Sequence, residues 1–134
     1  MIRFLSGNRI TLLRNGTEYF PALELAIDEA RSQIFLETYI YEPDQIGQRI
    51  AQALKRAVQR GVKVCLLLDG FGCKNLARSF VEELQQAGIE VLFFRPKVSP
   101  WTFKRNRLRR LHRKLAVIDG RTAFVGGINI IDDM

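Results

Sequence analysis

The sequence predicts an α/β fold, a mixed sheet with flanking helices, and three observations carry that reading. Runs of helical apolar spacing alternate with short runs rich in β-branched and aromatic residues. Glycines and Glu42-Pro43-Asp44 punctuate the joints. The last two apolar runs are separated by Asp119-Gly120, a two-residue hairpin signal. At 134 residues and 47% apolar composition, the chain has room for one domain with its own core, spanning residues 1–134.

The elements follow in order. Arg9 to Arg14 reads as a short strand stopped by Asn15-Gly16. Thr17 is placed to cap a helix through about Arg31, with Phe20, Leu23, Ala26, Ile27 and Ala30 on one face. Gln33 to Tyr41 reads as a strand. Asp44 is the next N-cap candidate, and Ile46, Ile50, Ala53, Leu54, Ala57 and Val58 form a helical face that ends at Gly61. Val62 to Leu68 is nearly continuously apolar, the pattern of a strand covered on both faces. After the Asp69-Gly70-Phe71-Gly72 loop, a helix is expected from about Asn75 to Ala87, stopped by Gly88, and Ile89 to Phe94 is the next strand. A basic loop spans 95–110, Leu111 to Ile118 is a strand, and Arg121 to Val125 returns beside it ahead of Gly126-Gly127. Strands joined by helices are expected to be parallel; the final pair is expected to be antiparallel.

The charge of +7 is concentrated in one place. Nine of the 21 Lys and Arg residues, and none of the 14 Asp and Glu, lie between Val91 and Ile118. Such a segment calls for an anionic partner: phospholipid headgroups, a phosphodiester or nucleic acid. Trp101 and Phe103, set among these cations, suit either a lipid interface or packing of the loop onto the domain. No apolar run approaches the roughly 20 residues that cross a bilayer, and no secretory leader is visible, so a cytoplasmic, peripheral protein is expected. Cys65, in an apolar run, reads as a buried thiol; with Cys73 separated from it by seven residues and one histidine in all, no metal site is expected.

The chemistry is expected on the strand Leu111 to Ile118. Alternation puts His112, Lys114, Ala116 and Ile118 on one face. An imidazole beside an ammonium suits attack on phosphorus, the first as nucleophile or acid and the second as a clamp for non-bridging oxygens. Gly126 and Gly127 permit close approach of backbone to a phosphate, and Asn129 adds an uncharged donor. Asp119 reads first as a turn residue, because alternation does not carry its carboxylate to the His112 face. Glu37, in an otherwise apolar strand, needs a partner; it either supports the site or is a satisfied structural carboxylate.

Together these residues spell His-x-Lys-x4-Asp-x6-Gly-Gly-x-Asn, from His112 to Asn129. The pattern resembles the signature of the phospholipase D superfamily. Leu36-Glu37-Thr38-Tyr39-Ile40-Tyr41, Arg60-Gly61-Val62-Lys63-Val64, Leu67-Leu68-Asp69-Gly70 and Arg110-Leu111-His112-Arg113-Lys114 are similar to bacterial cardiolipin synthases. The resemblance runs from about Gly7 to Ile131 and corresponds to the first half of such an enzyme. Many superfamily members have serine at the Gly127 position, so one hydroxyl contact to phosphate is missing here.

The resemblance implies a phospholipase D-like half-domain and a catalytic set of His112, Lys114 and Asp119. It implies a phosphatidyltransferase that works without cofactor or metal, through a phosphohistidine, on an anionic phospholipid such as phosphatidylglycerol. Two motif copies are needed, and a chain with one histidine has one. The second is expected from a C-terminal half or from a homodimer, and the isolated chain is expected to be incomplete and inactive. Two other functions fit the residues: a dimeric phosphodiesterase acting on nucleic acid, which the basic loop would also suit, and an inactive fragment that binds anionic membranes; the cardiolipin synthase-like stretches outside the motif favour lipid chemistry.

Overall fold

The computed structural model describes residues 3–94 and 112–133. The basic loop 95–110 and Leu111 lie outside the described residues, so the expectations placed on Trp101 and Phe103 lie outside them too. The described residues form three helices and five strands: α1 (Asn15–Glu29), β1 (Gln33–Thr38), α2 (Gln45–Gln59), β2 (Lys63–Asp69), α3 (Arg78–Gln86), β3 (Glu90–Phe94), β4 (Lys114–Ile118) and β5 (Thr122–Gly126). They make one mixed sheet in the order β3-β2-β1-β4-β5. The helix-linked strands β1, β2 and β3 pair in parallel, whereas β4 lies antiparallel to both β1 and β5.

Alternation along the strands decides what is buried. Ile34 and Leu36 of β1, Val64, Leu66 and Leu68 of β2, Val91 of β3 and Ala116 and Ile118 of β4 share one face. They form a single core with Phe20, Leu23 and Ile27 of α1, Ile50 and Leu54 of α2, and Phe80 and Leu84 of α3. Each fully buried Leu or Ile stabilises the fold by about 1.5–3 kcal/mol relative to exposure. β2 was expected to be covered on both faces, but its burial alternates: Cys65 and Leu67, on the opposite side from Leu66, are half-buried. The thiol that is buried is Cys73, at 5% exposure, rather than Cys65.

The helix stops were legible: Gly61 and Gly88 take φ of +89° and +97°, the left-handed conformation that ends α2 and α3. So was the start of α2, where the Asp44 carboxylate accepts from the Gly47 N–H at 2.9 Å. Two helix starts differ from expectation. Helix α1 begins at Asn15 rather than after Thr17, because the Glu18 carboxylate reaches back to accept from the Arg14 N–H at 2.6 Å. Helix α3 begins at Arg78, since the residues after β2 are taken up by a turn in which the Asp69 carboxylate accepts from Phe71 and Gly72 N–H. Residues 9–14 form no strand; the sheet's hydrogen bonds among the described residues stop at β5.

Helices α1 and α2 are tied by Arg56, whose guanidinium donates twice to Asp28 at 3.0 Å, and by Arg49 with Glu24. Arg60 donates to the Ile27 and Ala30 carbonyls and so satisfies the open C-terminal end of α1.

Candidate active site

The sheet topology brings the signature residues to one end of the molecule. The parallel strands β1 and β2 end at Thr38 and Asp69, and antiparallel β4 begins beside them at Lys114. Ligands of open α/β sheets bind at this carboxyl end of the parallel strands. His112 and Arg113 lie just ahead of β4 rather than within it; His112 is exposed and Lys114 is buried.

His112 and Lys114 meet as expected from their spacing. The Lys114 Nζ lies 3.0 Å from His112 Nδ1 and donates to the His112 carbonyl at 2.9 Å. An ammonium has protons to give and no lone pair, so Nδ1 accepts. The neutral ring therefore carries its proton on Nε2. The imidazole packs on Tyr39, ring centroids 4.6 Å apart at 37°, and the Lys114 ammonium sits 5.6 Å from the same ring centre. Tyr39 is thus a site residue that the sequence did not single out. It falls one position past β1, where neither strand alternation nor motif spacing marks it.

Asn129 is held against the end of β1. Its side-chain oxygen accepts from the Ile40 N–H at 3.0 Å, and the Thr38 hydroxyl is 3.5 Å away. A backbone N–H can only donate, which fixes oxygen toward Ile40 and leaves the amide NH2 as the other end. Gly126 pairs with Lys114 across β4–β5. A Cβ at Gly126 or Gly127 would meet none of the described residues within 4 Å. The glycines therefore leave open space beside Lys114 instead of relieving a clash within the described chain.

Asp119 and Glu37 lie elsewhere. Asp119 is at the opposite end of β4 from Lys114, in a turn where it and Gly120 take φ of +55° and +65°. Its carboxylate accepts from the Arg31, Ser32 and Gln33 N–H groups and the Ser32 hydroxyl, all within 2.8–2.9 Å. The backbone donors, with Gln33 foremost, hold this carboxyl well below the usual carboxylate range. The arrangement clamps the β4–β5 hairpin to the start of β1; it does not reach His112. Glu37 is buried and pairs with Leu115, so it faces the opposite side of the sheet from Lys114. There Arg113 Nε comes within 3.2 Å of Glu37 Oε2, an ionic contact without hydrogen-bond alignment.

The clamp has a measurable consequence. A carboxylate with a depressed native pKa stabilises the fold at neutral pH and loses that contribution as pH falls below its unfolded value of about 4. Asp119→Asn should lower the urea midpoint at pH 7 and flatten its decline between about pH 4 and 2. An unchanged pH profile would show that the carboxylate does not carry the clamp.

The arrangement of strands, and a histidine–lysine pair at their carboxyl end, define a phospholipase D-like α/β domain. The chain belongs to the family described as cardiolipin synthase, PLD-like domain, whose profile matches residues 23–133. Among its relatives, cardiolipin synthase B of Escherichia coli (strain K12) is 46% identical over 123 residues, which cover 92% of this chain and 30% of that protein. Cardiolipin synthase 1 of Bacillus anthracis is 38% identical over 122 residues, covering 91% of this chain and 24% of the relative. The chain therefore spans less than a third of the length of these proteins. Two solved structures share the fold: NucT from Helicobacter pylori, with TM-score 0.66 and 22% identity over 83% of this chain and 66% of its own, and the phospholipase D family member Nuc from Salmonella typhimurium, with TM-score 0.60 and 24% identity over 83% and 64%. No helix among the described residues is long and apolar enough to cross a membrane.

Proposed function

We propose that this chain supplies one half of a phosphatidyltransferase site of cardiolipin synthase type, with His112 and Lys114 acting on the phosphodiester of an anionic phospholipid such as phosphatidylglycerol. The observation that carries the reading is the 3.0 Å contact between Lys114 Nζ and His112 Nδ1, beside the open space at Gly126 and Gly127. Lys114 clamps a non-bridging phosphate oxygen, and the Asn129 amide donates to another. Moving Nζ onto phosphate releases Nδ1, so that the proton can sit there and the Nε2 lone pair can attack phosphorus. The P–O bond to the leaving glycerol breaks as the P–N bond forms, and the leaving oxygen takes a proton from the second motif's histidine. That histidine then deprotonates the acceptor hydroxyl, whose oxygen displaces His112 from phosphorus. If the second copy's histidine is the nucleophile, His112 delivers the Nε2 proton instead.

In this reading Asp119 positions β4 without touching substrate, and the second motif comes from a C-terminal half or a second copy. The enzyme works at the inner face of the cell membrane, held there through its basic loop. The single chain forms no cardiolipin. A phosphodiesterase acting on nucleic acid is the second reading, favoured by the nine cations between Val91 and Ile118.

The test is to incubate an assembly containing both motifs with radiolabelled phosphatidylglycerol, quench in alkali and map the adduct by mass spectrometry. A phosphatidyl group on histidine is expected, and Lys114→Met should slow its formation by about 10²-fold. Cleavage of single-stranded DNA with no lipid adduct would favour the second reading.

A further inference from the structure

We propose that the groove between residues 9–13, α1 and β5 binds one acyl chain of the phospholipid whose phosphate is held at Lys114. The inference rests on the function proposed above and adds to it the site that reads the lipid's tail.

The groove has a volume of about 750 Å3 and runs along β5 from Thr122 to Gly127 and Ile128, with Lys114 among its lining residues. Its size falls within the roughly 300–1,000 Å3 of small-ligand clefts. Tyr19 and Ala22 of α1, Phe124 of β5, and Leu13 and Ile128 give it an apolar lining. Among the described residues that line it, only Lys114 and Arg9 carry charge, both positive, and none is acidic. An apolar trough with cations and no anions matches a hydrocarbon chain that ends in a phosphate.

The rim points to the same occupant. Ile10, Leu12 and Val125 border the groove and are 93%, 86% and 81% exposed. Apolar side chains at the mouth of the groove suit a hydrocarbon chain that enters it from a lipid surface. The groove also continues into the site already described: Gly126, which lines it, pairs with Lys114 and leaves the space beside it open. A headgroup phosphate at Lys114 and a tail along β5 thus occupy one continuous path.

The test measures binding of monomeric dibutanoyl and dihexanoyl phosphatidylglycerol and of glycerophosphoglycerol, the same headgroup without acyl chains, to the chain by calorimetry. Each methylene withdrawn from water is worth about fourfold, so two further methylenes on one buried chain predict about 15-fold tighter binding of the dihexanoyl lipid. Leu12→Glu changes a side chain that is already exposed and should retain the fold, yet reduce that ratio to about threefold or less. Ala22→Trp, which fills the groove from α1, should do the same, and both variants should bind glycerophosphoglycerol as the wild type does.

Equal binding of the two lipids, with glycerophosphoglycerol still dependent on Lys114, would overturn the acyl site and leave the proposed function standing. Chain-length dependence untouched by Lys114→Met, with no headgroup binding, would overturn the function reading. A dimer in sedimentation that Leu12→Glu dissolves would assign the groove to a second copy and overturn the proposal.

Discussion

His112→Ala should abolish lipid phosphoryl transfer in an assembly that contains both motifs, by at least roughly 10⁴-fold, while leaving the fold intact. The size of the loss follows from the balance of the reaction. Whether His112 attacks or protonates, no other side chain of this chain can replace it, since it is the only histidine. The unchanged fold follows from exposure: the ring lies at the surface, against one face of Tyr39. Lys114 keeps the His112 carbonyl as an acceptor when the ring is removed, so the loss of the Nδ1 contact costs no more than about 1–3 kcal/mol. Cardiolipin formation and a urea titration of the same preparation check both halves. Retained transfer would remove His112 from the chemistry, and a large loss of stability would make it a packing residue.

Gly72→Ala is the second change with a large expected effect, although Gly72 touches neither His112 nor Lys114 in any contact described above. A Cβ there would lie 2.2 Å from the Tyr39 carbonyl oxygen and 3.0 Å from the Tyr39 carbonyl carbon. These are backbone atoms, so they cannot swing aside as a side chain would. The same carbonyl accepts from the Cys73 thiol at 3.4 Å, and burial pushes that thiol up to about 11, which keeps it protonated as a donor. Relieving the clash means separating the Gly72 turn from the Tyr39 backbone, and Tyr39 carries the ring on which the imidazole rests. Overpacking of this sort costs about 1–3 kcal/mol. A displacement of about 1 Å at a reacting group slows chemistry by about 10²-fold. Gly127→Ala is the control for stability, since a Cβ there meets none of the described residues. If Gly72→Ala matches wild type in both rate and urea midpoint, the link from this loop to the site is wrong.

Much of this architecture is legible in the sequence because local chemistry dictates it. Asp44 caps α2, Gly61 and Gly88 end their helices, and His112 and Lys114 meet because they are two residues apart at the start of a strand. Failures occur where a distant partner decides. Nothing near Asp119 reveals that its carboxylate finds three N–H groups on residues 31–33. Burial of Glu37 was foreseeable; its place on the face opposite Lys114 follows only from pairing β1 with β4. Tyr39 escaped notice because its value is geometric, as the surface under an imidazole supplied from 73 residues away. The run Arg9 to Arg14 has a strand's composition without its hydrogen bonds, because no described strand pairs with it.

The order of the strands also governs when the molecule becomes competent. β1 sits at the centre of the sheet, yet one of its neighbours, β4, begins 76 residues after Thr38. As the polypeptide leaves the ribosome, β1 can pair with β2 at once but keeps an open flank until residues 114–118 appear. Closing so long a loop is slow, and a bare flank of this kind invites pairing with other nascent chains. Dependence on chaperones during synthesis should therefore peak while β1 awaits β4 and subside when the hairpin docks, the event that also installs the reactive pair.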